Sequence, residues 1–332
     1  MRTKELIAVL SILQSATGTN EPYNNVLFSE GEIKAYNGNT GIVISYETGI
    51  EGAIPVDPLI KTLKSLRGDE LEISPKKKII QVSSNKNENI RLTPNREVDK
   101  FFPFEFDEEE FDDLPENFQD ALGLCSLTTG GLVLKEFVQG VYFLDNEAVS
   151  TNDAAVSKVT MDEDLEDNFF IHNNSISVLT RVVPFGIKIE KKRIIFDCID
   201  DIQVVCPFYK DYSKFPYPYK KLLKEFGDEF DLPKDFHYAM KKANSTLHGS
   251  KTNLSQFTFK KDSLTVKTKN KSSGIALTDS LTIKSNLKDE FYIDVELLSK
   301  YDFCKKFSVN ETSMKLINED LGIEIVIAKT LK

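Results

Sequence analysis

GAIPVDPLIKTLKSLRGDELEIS, residues 52–74, reads as a strand, a short helix and a second strand in quick succession. Leu59, Leu63 and Leu66 recur at the helical period and make one apolar stripe, while Lys61 and Lys64 lie across from it and Arg67 stands at its end. Proline sits at the helix start, where a missing backbone donor costs nothing. ELEIS then alternates at the period of a half-buried strand.

The same succession returns twice, as FFIHNNSISVLTRV (169–182) and FYIDVELLSKY (291–301). A longer helix of period 3.6 precedes each: Leu6, Ile7, Leu10 and Leu13; Phe118, Ala121, Leu122 and Cys125; Phe236, Met240, Ala243 and Leu247. Between the two helices of each unit lies a pair of alternating strands with a polar turn: NVLFSEGEIKAYN (25–37), GVYFLDNEAVSTN (140–152) and QFTFKKDSLTVKTKN (256–270). Each unit closes on further strands: ELEIS, KIIQVSS and NIRLTP, then GIKIE, RIIFDCI and IQVVCPF, then KFSVN, MKLIN and GIEIVIAK. The landmarks Phe28, Phe143 and Phe259 are 115 and 116 residues apart. That period is far too long for a solenoid repeat, so the units are small domains in tandem. The reading is α+β, three tandem domains, each with two helices packed on antiparallel sheets.

Punctuation places the boundaries. EFDEEEFDDLPEN (105–117) is an acidic connector stopped by proline, and SKFPYPYKKLL (213–223) with KEFGDEFDLPKD (224–235) joins the second unit to the third. The expected domains are 1–106, 115–212 and 233–332, with linkers at 107–114 and 213–232. The two prolines of SKFPYPYKKLL exclude a continuing helix or a mid-sheet strand, so a stiff, extended connector is expected there.

Composition excludes several classes of function. The 332 residues are 40% hydrophobic, which suits several buried cores. No apolar run approaches the ~20 residues of a membrane span, and the N-terminus reads as an amphipathic helix, so a cytoplasmic protein is expected. Cys125, Cys198, Cys206 and Cys304 have mostly apolar neighbours and no CxxC spacing, the pattern of buried thiols in a reducing compartment. His172, His237 and His248 lie at no metal-ligand spacing, so no metal is expected. Phosphate-binding glycine loops, GxSxG and HExxH are absent from the sequence, which supports neither a cofactor nor an enzyme.

Net charge is -10, yet its distribution is uneven. Residues 101–115 carry seven carboxylates and no cation, whereas the helices carry cations opposite their apolar stripes. Lys4, Lys61, Lys64, Arg67, Arg181, Lys234, Lys241, Lys242 and Lys300 form this set, and only the helix near Phe118 offers none. Basic helical faces in an acidic protein suit phosphates, with acidity elsewhere discouraging nonspecific adhesion. Without a base-reading motif, such contact is positional rather than sequence-specific.

Taken in order and at domain spacing, four stretches resemble the bacterial DNA polymerase sliding clamp, the β processivity clamp, in a bacteriophage-encoded version. They are residues 52–74; NIRLTPNREVDKFFPFEF (89–106); KFPYPYKKLL (214–223); and FYIDVELLSKY with the C-terminal IEIVIAKTL. The resemblance spans the whole chain. It implies a homodimeric, head-to-tail ring of six domains with helices lining a channel for double-stranded DNA, opened by a clamp loader and tethering a DNA polymerase through short peptide motifs. It also implies a peptide pocket between the second and third domains, carried over by position to Thr151, Val156, Pro216, Tyr217, Lys220, Lys221, Leu222, Ile325 and Ile327.

This chain departs from the family there. Thr151-Asn152-Asp153-Ala154-Ala155-Val156-Ser157 lacks the usual Gly-His-Arg, and the chain ends Ile327-Ala328-Lys329-Thr330-Leu331-Lys332 instead of on a Met-Pro-Met-Arg-Leu type sequence. A dedicated partner fits those changes better than a host peptide. The alternative reading is a clamp-derived scaffold that binds replication or transcription proteins without encircling DNA.

Overall fold

The computed structural model describes residues 2–76, 79–86, 88–95, 101–107, 109–130, 135–212 and 214–330, side chains 75 and 76 excepted. Residues 96–100 of the first closing segment, Ser213 and the final Leu331-Lys332 therefore lie outside the described residues. Seven α-helices are described: α1 Thr3–Leu13, α2 Val56–Ser65, α3 Phe118–Ser126, α4 Asn173–Leu179, α5 Tyr219–Lys224, α6 Phe236–Leu247 and α7 Val295–Lys300. Antiparallel sheets make up most of the rest, and the fold class is α+β as the sequence indicates.

The chain divides into two compact units, Met1–Gln119 with Phe169–Asp211, and Asp120–Asn168 with Tyr212–Lys332. The middle repeat is thus split between them. In the first unit one sheet runs in the order Gly52–Pro55, Asn25–Ser29, Glu32–Tyr36, Gly41–Ser45, Ile202–Pro207, Arg193–Cys198, Pro184–Ile189, Asp112–Asp113. Gly41–Ser45 pairs with Ile202–Pro207 in the register Val43↔Gln203 and Ile42↔Val204, so first-repeat and middle-repeat strands share a sheet. The second unit repeats the device: Gly140–Leu144, Glu147–Thr151, Ala155–Thr160, Ile323–Ala328, Ser313–Asn318, Lys306–Val309 and Phe230–Asp231 run in that order. Two smaller sheets remain, Leu71–Lys76, Ile79–Ser84, Asn89–Leu92 in the first unit and Ala276–Thr282, Ser263–Lys269, Leu254–Lys260, Asp289–Asp294 in the second.

Helix faces follow the apolar stripes with one shift. On α2 the buried residues are Val56, Leu59, Ile60 and Leu63, and Leu66 is the C-cap, in extended conformation and half-buried. On α6 Phe236, Met240, Ala243 and Leu247 are all buried, as their spacing predicts. Polar groups closed into these layers find partners: Thr40 Oγ1 lies 2.7 Å from Ser175 Oγ, and Thr128 Oγ1 lies 2.6 Å from Tyr301 OH. All four cysteines are buried and free. Burial pushes the thiols of Cys125, Cys206 and Cys304 up to about 12 and that of Cys198 higher.

Residues 213–223 correct the expectation of an extended connector. Tyr219–Lys224 is helical, with Pro218 as N-cap at φ -77°. Both prolines precede the first helical residue, where a fixed φ favours the helix and no donor is lost. The proline restriction thus ends at residue 218. The acidic connector likewise contributes a short strand, Asp112–Asp113, paired with Ile187 and Gly186.

Candidate functional site

The predicted cations fall at helix surfaces. Lys4 is on α1, Lys61 and Lys64 are on α2 with Arg67 just beyond it, and Arg181 follows α4; all are exposed. In the second unit Lys234 precedes α6, Lys241 and Lys242 lie on it, and Lys300 ends α7. The two sets differ electrostatically except at Lys234, which is exposed and makes no ion pair among the described residues. Among the described residues no carboxylate pairs within 4.0 Å with the charged groups of Lys4, Lys61, Lys64 or Arg181; the Arg67 guanidinium reaches Glu88 at 4.0 Å, while its backbone amide donates to Glu88 Oε2 at 2.7 Å. By contrast Lys241 meets Asp302 at 2.6 Å, Lys242 meets Asp279 at 2.7 Å, and Lys300 meets Glu296 at 3.9 Å. The Lys241 hydrogen bond holds the Asp302 carboxyl below its ordinary range, and the Asp279 hydrogen bond raises the Lys242 ammonium. Helix α3 has no cation, as read from the sequence.

The nominated peptide residues divide by strand parity. Val156 pairs directly with Val326 and with Thr151, so these three side chains share one face of the sheet. Ile325 pairs with Ser157 and Ile327 with Ala155, which places Ile325 and Ile327 on the opposite face. That opposite face is the helix side: Ser150 Oγ lies 2.8 Å from Ser157 Oγ and donates to the carbonyl of Cys125 on α3 at 2.6 Å. Both isoleucines are 0% exposed. Thr151 and Val156 therefore go with the linker, and Ile325 and Ile327 go with the core.

The linker covers the first of these faces. The Phe215 ring centroid lies 5.1 Å from that of Tyr142 and 5.3 Å from that of Tyr219, and Tyr142 shares the parity of Val149 and Thr151. Tyr217 OH donates to Asp153 Oδ1 at 2.5 Å, tying the linker to the turn that lacks Gly-His-Arg. Asp153 itself has φ +69°, a left-handed conformation that aspartate tolerates in turns. Pro216, Lys220 and Lys221 are exposed, while Tyr217 and Leu222 are half-buried.

A ladder of alternating charges holds this arrangement. Lys220 pairs with Glu147 at 3.1 Å; Lys158 reaches Glu147 at 4.0 Å and Glu324 at 2.8 Å; Lys315 reaches Glu324 at 3.2 Å and Glu229 at 3.8 Å. Burial alone would raise the Glu324 carboxyl, but Lys158 and Lys315 together outweigh it and hold it below its ordinary value. Burial first, and the hydrogen bond to Glu147 second, push the Tyr219 hydroxyl up. Sequence reading missed Val326, Glu147, Lys158, Glu324 and Lys315. For Val326 the signal was available: it alternates with Ile325 and Ile327, and only the register says which parity faces the linker.

Among the described residues no group of three or more His, Cys, Asp or Glu could hold a metal ion, and no helix is long and apolar enough to cross a membrane. No protein-family model matches the sequence. No curated protein matches it either. Solved structures do match in fold. A sliding clamp, DNA polymerase III subunit beta, from Bartonella birtlesii bound to griselimycin superposes with TM-score 0.83 at 14% identity, over 100% of this chain and 99% of that one. A putative DNA polymerase III beta subunit from Eubacterium rectale gives 0.81 at 11% identity, over 100% and 98%. The DNA polymerase III beta subunit of Thermotoga maritima gives 0.80 at 14% identity, over 100% and 98%. At these identities the likeness is one of fold, and over its full length this chain has the fold of the bacterial sliding clamps.

Proposed function

We propose that this chain is a non-catalytic DNA sliding clamp, a processivity factor that encircles duplex DNA as a head-to-tail homodimer and tethers a polymerase through the linker face. The observation that carries this reading is the distribution of shared sheets. The middle repeat shares strands with both neighbours, whereas the three-stranded sheet ending in Asn89–Leu92 and the four-stranded sheet ending in Ala276–Thr282 stay unshared. Among the described residues each ends on a strand with a single neighbour in its sheet, a template for a further strand. Joining such edges between two copies makes two equivalent contacts and closes the ring.

Encirclement replaces tight binding. Exposed lysines on α1 and α2 supply weak phosphate contacts that allow sliding, and leaving the DNA requires opening an edge contact or reaching a DNA end. Opening falls to an ATP-driven loader, and no cofactor of the clamp itself is needed. On the linker face Pro216, Tyr217, Lys220, Lys221 and Leu222 take an extended partner peptide, over Thr151, Val156 and Val326, which lie buried at 1%, 7% and 5% exposure. The departures at residues 152–156 and at the C-terminus support a dedicated partner, of the kind a bacteriophage clamp would have.

Two measurements test the reading. Sedimentation at micromolar concentration is expected to give a dimer, and electron microscopy a closed annulus. Binding to duplex DNA is expected to weaken with salt, and Lys61→Glu with Lys64→Glu to flatten the log–log slope by about 2, one per phosphate contact removed. A stable monomer with an unchanged slope in the double variant sinks the clamp and favours the scaffold reading.

A further inference from the structure

The first seam carries a groove built like the linker face of the second. Phe101–Phe106 follows the first repeat as Phe215–Tyr219 follows the middle one, and it crosses the sheet face that contains Leu27, Lys34 and Gln203. Leu27 precedes Tyr142 by the repeat spacing of 115 residues, and Tyr142 is the residue on which Phe215 packs. Beside this crossing segment opens a cavity of about 960 Å³ with Leu27, Phe102 and Phe106 in its walls. That volume is within the roughly 300–1,000 Å³ of ligand sites.

The wall is held in place before any ligand arrives. Lys34 Nζ donates to the Phe104 carbonyl at 3.0 Å, the Phe106 amide donates to Glu32 Oε1 at 3.3 Å, and Gln203 both accepts from the Asp107 amide at 2.8 Å and donates to its carbonyl at 2.7 Å. A preformed wall lowers the ordering cost of binding.

Charge sets what the groove accepts. Its two cations are already engaged, Lys34 by Glu32 at 2.8 Å and Arg193 by Glu190 at 2.6 Å. Lys188 takes Asp107 and Glu109. Glu30, Glu51 and Glu105 remain exposed around the cavity and make no ion pair among the described residues. We propose that this groove is a second docking site, which takes a short extended peptide of a partner protein with one aromatic or aliphatic anchor flanked by lysine or arginine.

The test uses the full chain and two fluorescein-labelled peptides of about eleven residues with the same Leu-Phe centre, one flanked by lysines and one by glutamates. Anisotropy at about 0.15 M salt is expected to give micromolar binding of the lysine peptide and at least tenfold weaker binding of the glutamate peptide. Glu30→Lys/Glu51→Lys/Glu105→Lys is expected to weaken the lysine peptide at least tenfold. Glu163→Lys/Asp164→Lys/Glu166→Lys, an equal change of charge at exposed positions elsewhere, is expected to change it less than twofold. Equal weakening by both triple variants, equal binding of both peptides, or no binding overturns the proposal; so does self-association that the first triple variant abolishes, since a second copy would then be the occupant. Ring closure plays no part in this experiment, so a monomer in sedimentation sinks the clamp reading without deciding this one.

Discussion

Glu324→Gln is the most informative single change in the charge ladder. The carboxylate sits between Lys158 at 2.8 Å and Lys315 at 3.2 Å, whose side chains are 15% and 9% exposed. Breaking a buried pair by removing one partner costs about 3–5 kcal/mol, because the remaining charge is left uncompensated. Here the loss is smaller. Lys158 keeps Glu147 at 4.0 Å, Lys315 keeps Glu229 at 3.8 Å, and Glu324 is itself 27% exposed. About 2 kcal/mol is therefore expected, a fall in Tm of roughly 4–8 °C for a unit of 150–250 residues. Urea unfolding followed by tyrosine fluorescence measures it. The pH dependence gives a second readout. The folded carboxyl titrates below its unfolded value of about 4.3, so its stabilisation is complete above that pH and disappears as pH falls through the lower folded value. The gap between wild type and variant should be widest near neutrality and narrow below about pH 4. A variant within about 0.5 kcal/mol of wild type at pH 7, or a gap that does not change with acid, refutes the ladder as a source of stability.

Gly41→Ala should disturb the first groove specifically, because a Cβ there would meet Phe104 Cζ at 2.3 Å and the ring must leave. A loss of about 1–3 kcal/mol is expected in urea unfolding, and combination with Phe104→Ala should cost less than the sum of the two, since the second change removes the clashing ring. Cys125, Cys198, Cys206 and Cys304 should resist a thiol reagent at pH 8 in the folded protein and all react in denaturant, because buried thiols with raised pKa supply almost no thiolate. Rapid labelling of any one in the native state contradicts its burial.

Burial on both faces does not separate the strands that were legible from the one that was missed: Asn25–Ser29 and Glu32–Tyr36 are as buried as Gly41–Ser45, and only the third hairpin, Leu254–Lys260 with Ser263–Lys269, alternates between buried and wetter residues. NVLFSEGEIKAYN announces its hairpin by the polar turn between its strands, and Val26↔Ala35 to Ser29↔Glu32 is the pairing found. Gly41–Ser45 went unread, and GIVIS has no alternation; four of its five residues are buried, since it carries helices on one side and the crossing segment on the other. Ile323–Ala328 has the same character, which is why the sequence could not choose between Val326 and its neighbours Ile325 and Ile327. The charge ladder left no local trace either, because its members are brought together by register from positions 147, 158, 315 and 324. Helical cations were legible as exposed positions, but the partners Asp279 and Asp302 that occupy Lys242 and Lys241 come from distant segments.

The two compact units and the three repeats divide the same chain differently, and the difference bears on assembly. A repeat alone would end its sheet at Gly41–Ser45 or at Ala155–Thr160, a buried apolar strand with an open edge, the condition that invites aggregation. Pairing with Ile202–Pro207 and with Ile323–Ala328 closes both edges within the chain. The outer ends of these sheets stop at the two-residue strands Asp112–Asp113 and Phe230–Asp231, and carboxylates in both blunt further pairing. Asn89–Leu92 and Ala276–Thr282 are longer, at four and seven residues, with one charged side chain each, Arg91 and Asp279: one alternates exposed and half-buried residues, and the other is flanked by Ile275 at 55% exposure. Among the described residues, the longer strands that end the two smaller sheets are what a chain needs if further pairing is reserved for another copy.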